Sequence, residues 1–381
     1  MEKLNIALVG LGFGGVFAPI YKEHPDVGKL ILYDADPNVS KRTAEYIGAA
    51  DIANSFEAIL DDKSIDAVHL VTPIPLHADQ TVAVLESGKH CACTVPMATS
   101  LDDIRRIVKA KRMSGKNYMM METALYTYQY FYVKNMLKEG KLGRIQFLRG
   151  THYQDMAQWP DYWMGLPPMW YGTHAIAPMI DLSESRICRV NCFGSGTMAG
   201  WMVQRYGNPY PIESALFEFE SGLKGEATRS LFETARMYQE GMFVYGSKMS
   251  FEWGFGDGDD PYITKLYPPE PGARGGRTET KITQMPNFYN DLPKELWHFT
   301  VGGNYDPLNP QESLKRGAGA GHHGSHPHLA HEFVRSCIEE RKPAIDEHLG
   351  GNITAAGICA HESAMKNGEA VIVPKFLAIK Q

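Results

Sequence analysis

Cysteine is scarce in this chain, with six residues (Cys91, Cys93, Cys188, Cys192, Cys337 and Cys359) in 381. They are too few and too scattered for a disulfide scaffold. The C-x-C-like pairs lack the partners of a zinc ribbon, so free thiols in a reducing cytoplasm are expected. No apolar run approaches the roughly 18 residues a bilayer-spanning helix requires, and no membrane partner is expected. No Lys/Arg-rich run stands out and the formal net charge is −6, which argues against a nucleic-acid partner. Internal repeats and low-complexity tracts are absent. The first apolar run, which follows Lys3, leads straight into glycines with no small-residue cleavage site, so it reads as a buried strand rather than a signal peptide. What is present is a hydrophobic content of 44% and a charged content of 22%, the balance of a globular protein long enough for two domains.

The first third alternates short apolar runs with helical spacing, the pattern of a parallel sheet covered by helices. Strands are expected at 5–9, 29–33, 67–71, 90–94 and 117–121, and helices at 17–23, 40–47, 78–87 and 101–114. After residue 122 a helix at 130–139 is followed by longer alternating segments at 144–153, 186–194, 212–220, 223–232, 239–245 and 248–253, which predict a mostly antiparallel sheet. Residues 254–321 are rich in Gly, Pro and Asp and read as a long surface loop. Helices at 329–341 and 353–367 and a strand at 370–374 close the chain. The expected fold is α/β, with a doubly wound parallel Rossmann sheet in 1–122 and an α/β domain with a large, mostly antiparallel open sheet in 123–381.

Gly10, Gly12 and Gly15 form G-x-G-x-x-G between an expected strand and an expected helix, with Phe13 and Gly14 inside the motif. That context reads as dinucleotide binding: Gly10 for the tight turn, Gly12 for approach of the pyrophosphate, Gly15 for close helix–strand packing. Asp34 ends the second strand, where a carboxylate accepts from ribose hydroxyls and repels a 2′-phosphate, so NAD is the expected cofactor. Asp36, just before Pro37, reads as the start of a turn.

Two further stretches, Thr72-Pro73-Ile74-Pro75-Leu76-His77 and Leu85-Glu86-Ser87-Gly88-Lys89-His90, resemble the T-P-N-x-L-H and A-L-x-x-G-K-H motifs of the glucose–fructose oxidoreductase / inositol dehydrogenase / rhizopine-catabolism (Gfo/Idh/MocA) family. The resemblance implies a Rossmann domain and a second α/β domain whose open sheet lines the substrate site and mediates dimer or tetramer formation. It also implies hydride transfer at a hydroxyl-bearing carbon of a sugar or cyclitol, with Thr72, Pro73, Leu76, His77 and Pro96 beside the cofactor. This chain departs from the pattern at two places. Thr94-Val95-Pro96 stands where the family has E-K-P, and Trp170-Tyr171-Gly172-Thr173-His174-Ala175-Ile176-Ala177 stands for D-x-G-x-H-x-x-D. The lysine and both carboxylates are gone, and the histidine remains.

Oxidation of an alcohol requires a proton acceptor near the hydroxyl. His174 is the first candidate, and a buried structural histidine is the competing reading. His152, Tyr153 and Asp155 end the first strand of the second domain, Tyr126 follows the last Rossmann strand, and Glu122 ends that strand; packing or turn chemistry competes for each. Trp159, Trp163 and Trp170 lie in an aromatic, Pro-punctuated stretch that suits the apolar face of a sugar ring or a hydrophobic cluster under a loop. His322 and His323, within a His-rich run that includes His326, His328 and His331, are candidate substrate contacts. That run lacks a carboxylate-bearing zinc motif, and no metal is expected. Three functions fit: NAD-dependent oxidation of a carbohydrate, redox-neutral glycoside cleavage through transient oxidation, and a non-catalytic NAD-binding sensor.

Overall fold

The computed structural model describes residues 3–48, 50–300 and 321–376. They form two compact units. Described residues of 3–126, 287–300 and 321–351, with Phe376, make the first; 127–286 and 352–375 make the second. The division therefore differs from the single cut expected at residue 122, because 287–300 and 321–351 pack with the N-terminal sheet.

In the first unit, strands β1 (Leu4–Val9), β2 (Val27–Tyr33), β3 (Asp51–Ile52), β4 (Ala67–Leu70), β5 (His90–Thr94) and β6 (Tyr118–Met121) lie in the order β3-β2-β1-β4-β5-β6. All pairings are parallel. β4 and β6 are buried at every residue, which explains their continuous apolar runs. Helices α1 (Ala18–Glu23), α2 (Pro37–Ile47), α3 (Phe56–Asp61), α4 (His77–Glu86) and α5 (Leu101–Ser114) connect the strands. α5 carries its own boundary signals. Ser100 accepts from the Asp103 N–H, Asp102 and Asp103 sit in the first turn, Lys111 and Arg112 sit in the last, and Gly115 closes the helix at φ 68°.

Two short elements, β3 and α3, were not anticipated. Asp36 corrects an expectation: its carboxylate accepts from the Asn38 N–H and caps α2, with Pro37 at the first helical position, so it starts a helix and not a free turn. The C-terminal segment is fixed to this unit by specific bonds. Asn117 Nδ2 donates to the carbonyls of Ser336 and Arg341, Met120 N–H donates to Ile345, and Arg335 pairs with Asp26 at 2.8 Å.

The second unit holds a nine-stranded sheet. Its strands are β7 (Ile145–Tyr153), β8 (Ile187–Ser195), β9 (Ile212–Phe219), β10 (Lys224–Ser230), β11 (Gln239–Gly246), β12 (Met249–Glu252), β13 (Tyr262–Tyr267), β14 (Arg277–Ile282) and β15 (Val371–Ile372). The order is β14-β13-β12-β11-β7-β10-β9-β8-β15, antiparallel throughout except for β7 and β10. β13 and β14 overturn the expectation of a structureless 254–321. β14 (RTETKI) is polar on both faces, and β13 (YITKLY) mixes polar and apolar residues on each, so hydrophobic periodicity could not reveal them. Residues 301–320 of that stretch lie outside the described residues.

Helices α6 (Tyr128–Lys138) and α7 (Thr173–Ser183) flank this sheet. α7 is buried at nearly every residue, and it approaches β7 so closely that a Cβ on Gly150 would lie 2.0 Å from the Ala175 carbonyl oxygen. Gly150 therefore sets how deeply the first turn of α7 sits against the sheet. Phe193 on β8 and Leu216 on β9 remain exposed.

Candidate functional site

The glycine-rich turn leaves β1 at the point where the sheet order reverses between β1 and β4. Gly10 adopts φ +85°, and a Cβ there would meet the Val71 carbonyl oxygen at 2.5 Å, so glycine is required twice over. A Cβ on Gly12 would meet nothing within 4 Å. The space over this turn is open, as a site for pyrophosphate must be. The role assigned to Gly15 needs correction. A Cβ on Gly15 also meets nothing, whereas one on Gly14 would lie 2.9 Å from Val71 Cβ; Gly14 is the close-packing glycine.

Asp34 Oδ2 accepts from the Leu11 N–H at 2.7 Å, and Oδ1 accepts from Asp36 N–H at 2.9 Å. The carboxylate thus anchors the turn itself while retaining lone pairs for ribose hydroxyls. A cavity of about 320 Å³ beside the turn is lined by Gly12, Gly15, Val16, Pro19, Arg42, Thr43 and Tyr46. Phe13 is exposed on one side and lies edge-on to His322 and His326 at 5.9 and 5.7 Å.

At the end of β4, Pro73 and Leu76 are exposed, and Thr72 Oγ1 donates to Gln80. His77 is buried with each ring nitrogen 2.8 Å from a carbonyl oxygen, of Pro96 and of Thr72. Only a doubly protonated ring donates to both. Burial works against the charge, but the Cys93 sulfur and the two carbonyls outweigh it and raise the imidazole to about 9. His77 thus clamps the two loops together.

His322 and His323 are also placed in this unit. Both have left-handed backbone (φ 51°), and with Gly324 they form the turn that precedes the regular part of the helix Gly321–Ile338. His322 Nδ1 lies 3.2 Å from His326 Nε2, and His323 is buried. His322 lies beside Phe13 of the glycine turn.

The second unit builds its own cluster. In the β7–β11 register, His152 stands directly opposite Glu240 on the adjacent strand, and α7 brings His174 over both. Glu240 Oε1 lies 3.5 Å from His152 Nε2 and 4.0 Å from His174 Nε2. All three side chains are buried. Tyr238 donates its hydroxyl to the same carboxylate, and burial, reinforced by Glu240, pushes the Tyr238 phenol well above its ordinary range. Tyr171 closes the cluster, edge-on to His174 at 5.4 Å and tilted against His152 at 6.1 Å.

Behind this group lies Arg229, with no exposed surface. Its guanidinium donates to the carbonyls of Tyr171, His152 and Ser230 and to Gln154 Oε1, and stands 5.3 Å from the Tyr171 ring centre. Burial lowers it to about 10. Four polar side chains, His152 of β7, His174 of α7, Arg229 of β10 and Glu240 of β11, are thereby held together, with Tyr238 just before β11 and Tyr171 just before α7.

The other candidates fall elsewhere. Trp163 is buried against Tyr171 at 4.8 Å and Trp159 at 5.7 Å, so these two back the cluster. Trp170 turns away, edge-on to Tyr206 and to His361, which pairs with the buried Glu213 at 2.6 Å. Tyr171, its neighbour, is the residue that meets His174. Tyr153 lies under the Arg236 guanidinium at 5.2 Å, and Asp155 accepts from Ala157 N–H in a turn. Glu122 is buried and accepts from Ala124 N–H, capping the turn that ends at Tyr126, which is half-buried. Sequence reasoning missed Glu240, Tyr238 and Arg229. The available signal was a charged residue inside an apolar strand pattern, Glu240 ahead of Gly241-Met242-Phe243-Val244.

Residues 4–122 match the family model described as the oxidoreductase family with an NAD-binding Rossmann fold (GFO_IDH_MocA). The chain is similar to levoglucosan dehydrogenase of Pseudarthrobacter phenanthrenivorans, 29% identical over 171 residues, which cover 42% of this chain and 44% of that one. It is also similar to a glycosyl hydrolase family 109 protein of Porphyromonas gingivalis, 25% identical over 203 residues, 48% of this chain and 43% of the relative. The matched stretches thus span under half the length of these curated relatives. Among solved structures, levoglucosan dehydrogenase in complex with NADH and levoglucosan superposes with a TM-score of 0.75 at 20% identity, covering 98% of this chain and 100% of that one. Myo-inositol 2-dehydrogenase from Lactobacillus plantarum gives 0.73 at 15% identity, with the same coverage. These likenesses establish the fold. No helix among the described residues is long and apolar enough to cross a membrane. Over residues 4–122 the chain is thus similar to the NAD-binding Rossmann domain of the Gfo/Idh/MocA oxidoreductases.

Proposed function

We propose that this protein oxidises a hydroxyl-bearing carbon of a sugar or glycoside, with the His152–His174–Glu240 cluster handling the hydroxyl proton. NAD, held by the Gly10–Gly15 turn and Asp34, supplies the hydride acceptor when bound. The cluster is the observation that carries the reading. The chain lacks the family lysine at Val95 and both carboxylates around His174, so its proton chemistry needs another source.

A neutral imidazole of the cluster accepts the hydroxyl proton, and the Glu240 carboxylate within 4 Å stabilises the imidazolium formed. Tyr238 fixes the carboxylate by donating to it, and Arg229 fixes the backbone of His152 and Tyr171. Burial excludes water and strengthens each of these interactions. The balance is simple: the C–H leaves as hydride, the O–H as a proton, and a carbonyl remains.

The second reading, redox-neutral cleavage of a glycoside, draws on the family 109 relatives and on the presence of two histidines where a simple oxidation uses one base. There the ketone acidifies the neighbouring C–H, a second base removes that proton, the glycosidic group leaves and takes up a proton as the free alcohol, water adds to the resulting enone, and hydride from NADH and a proton return to the carbonyl. The exposed Phe193 and Leu216 support self-association through the β8–β9 face as a further part of this reading.

The experiment is incubation of the purified protein and NAD+ with a panel of sugars and aryl glycosides, following NADH absorbance and aglycone release. Net oxidation gives NADH in step with ketone. Aglycone release without NADH accumulation selects the redox-neutral route. Neither signal with any sugar, from protein that binds NADH, would leave the sensor reading standing.

A further inference from the structure

We propose that His152, His174 and Glu240 form a binding site for a divalent transition-metal ion of the Zn2+/Mn2+ type. One nitrogen of each imidazole and a carboxylate oxygen lie within 4.8 Å of one another, and all three residues are buried. Ligand atoms around one such ion sit roughly 3.3 Å apart for metal–ligand bonds of about 2.0–2.2 Å. The His152–Glu240 separation of 3.5 Å already matches, and the His174–Glu240 separation of 4.0 Å closes with a side-chain movement of well under 1 Å.

The backbone supports the same conclusion. His152 and Glu240 are directly opposed across the β7–β11 pair, and the contact at Gly150 fixes the height of α7. The ligands therefore come from three rigid elements rather than from a loop. Tyr238 donates to Glu240, as an outer partner that orients a ligating carboxylate.

Two imidazoles and one carboxylate suit Zn2+ and its borderline neighbours better than Ca2+ or Mg2+. Three protein ligands leave positions open, as in catalytic rather than structural sites. Adjacent hydroxyl or carbonyl oxygens of a sugar are the ligands that fit those positions. The role, though not the binding itself, rests on the function proposed above. The ion polarises the reacting hydroxyl. It keeps its oxidation state; an imidazole nitrogen that ligates the ion cannot also accept a proton, so with the ion bound the hydroxyl proton passes to water in place of the imidazole that takes it in the ion-free cluster, and the electron pair leaves the carbon as hydride to NAD+.

The test uses full-length protein stripped with a chelator and dialysed, then titrated with Zn2+, Mn2+ or Co2+. Metal is counted by elemental analysis, and Co2+ coordination is read from its visible absorption. The expected result is one equivalent per chain, with affinity at least tenfold weaker in Glu240→Gln and in His152→Ala. Tyr238→Phe, which keeps all three ligands, should show a smaller loss and serves if the other variants fail to fold. Failure of the wild-type protein to bind any of the three ions stoichiometrically, or binding that none of the three variants weakens, overturns the proposal. Stoichiometric metal without sugar oxidation would keep the site and remove the function. Sugar oxidation that persists unchanged in metal-free protein would keep the function and overturn the ion's role in it.

Discussion

Gly10 and Gly12 stand two residues apart in one turn, yet the same substitution should act on different properties. At Gly10, alanine must adopt φ +85°, which costs about 1–2 kcal/mol. Its Cβ would also lie 2.5 Å from the Val71 carbonyl oxygen and 2.7 Å from its carbon, backbone atoms at the end of β4 that cannot swing aside. Overpacking of this kind adds about 1–3 kcal/mol. Gly10→Ala should therefore destabilise the protein by about 2–5 kcal/mol, a large part of a typical folding free energy. Gly12→Ala places its methyl in open space and should change stability by no more than about 0.5 kcal/mol. That methyl occupies the approach to the turn, so NADH affinity should fall at least tenfold, about 1.4 kcal/mol. Thermal melts without cofactor and NADH fluorescence titrations separate the two effects. A Gly12→Ala protein that binds NADH as tightly as wild type would refute the placement of the cofactor on this turn.

Four histidines of the first unit are held neutral by burial: His24, His90 and His328 lowered to about 4 and His69 to about 3. Their folded values lie below the unfolded value near 6.5, so the stabilisation is complete above pH 6.5 and is lost as pH falls toward 4 and then 3. Each contributes a slope of up to about 1.4 kcal/mol per pH unit, and melts between pH 7 and 5 should show a steep loss that His24→Asn, His69→Asn or His90→Asn each makes shallower. His77 has the opposite sign. Raised to about 9, its contribution is complete below pH 6.5 and disappears as pH rises through 9, so mild alkali should lower the melting temperature of wild type but not of His77→Asn. Arg229→Met leaves three buried carbonyls without their donor and should cost about 3 kcal/mol or more in chemical denaturation while reducing turnover. Gly150→Ala drives a Cβ into the Ala175 carbonyl and should displace α7, lowering turnover more than NADH affinity.

The nucleotide-binding unit was legible because its signals are local. A G-x-G-x-x-G after an apolar run, Asp34 at the next strand end and Ser100 before α5 each declare themselves within a few residues. Sequence assigned the close-packing role to Gly15 because motif spacing alone does not say which glycine faces Val71. β13 and β14 escaped because strands with polar residues on both faces carry no hydrophobic period. The cluster in the second unit was half legible. His174 stood out through the family motif and His152 through its place at a strand end. Glu240, Tyr238 and Arg229 meet them only through the register of a nine-stranded sheet, which no short-range pattern encodes. Trp170 drew attention by its position, while the ring that packs on His174 belongs to Tyr171.

The central claim is that proton chemistry for NAD-linked sugar oxidation resides in the buried His152–His174–Glu240 cluster. Rapid mixing of NAD-loaded protein with an active sugar, read as NADH absorbance in a single turnover, tests it under both the net and the redox-neutral route. The account predicts that His174→Ala, with NADH affinity and melting temperature near wild type, reduces the rate of that first phase by about 10²–10⁴-fold. An unchanged single-turnover rate in that variant would contradict it.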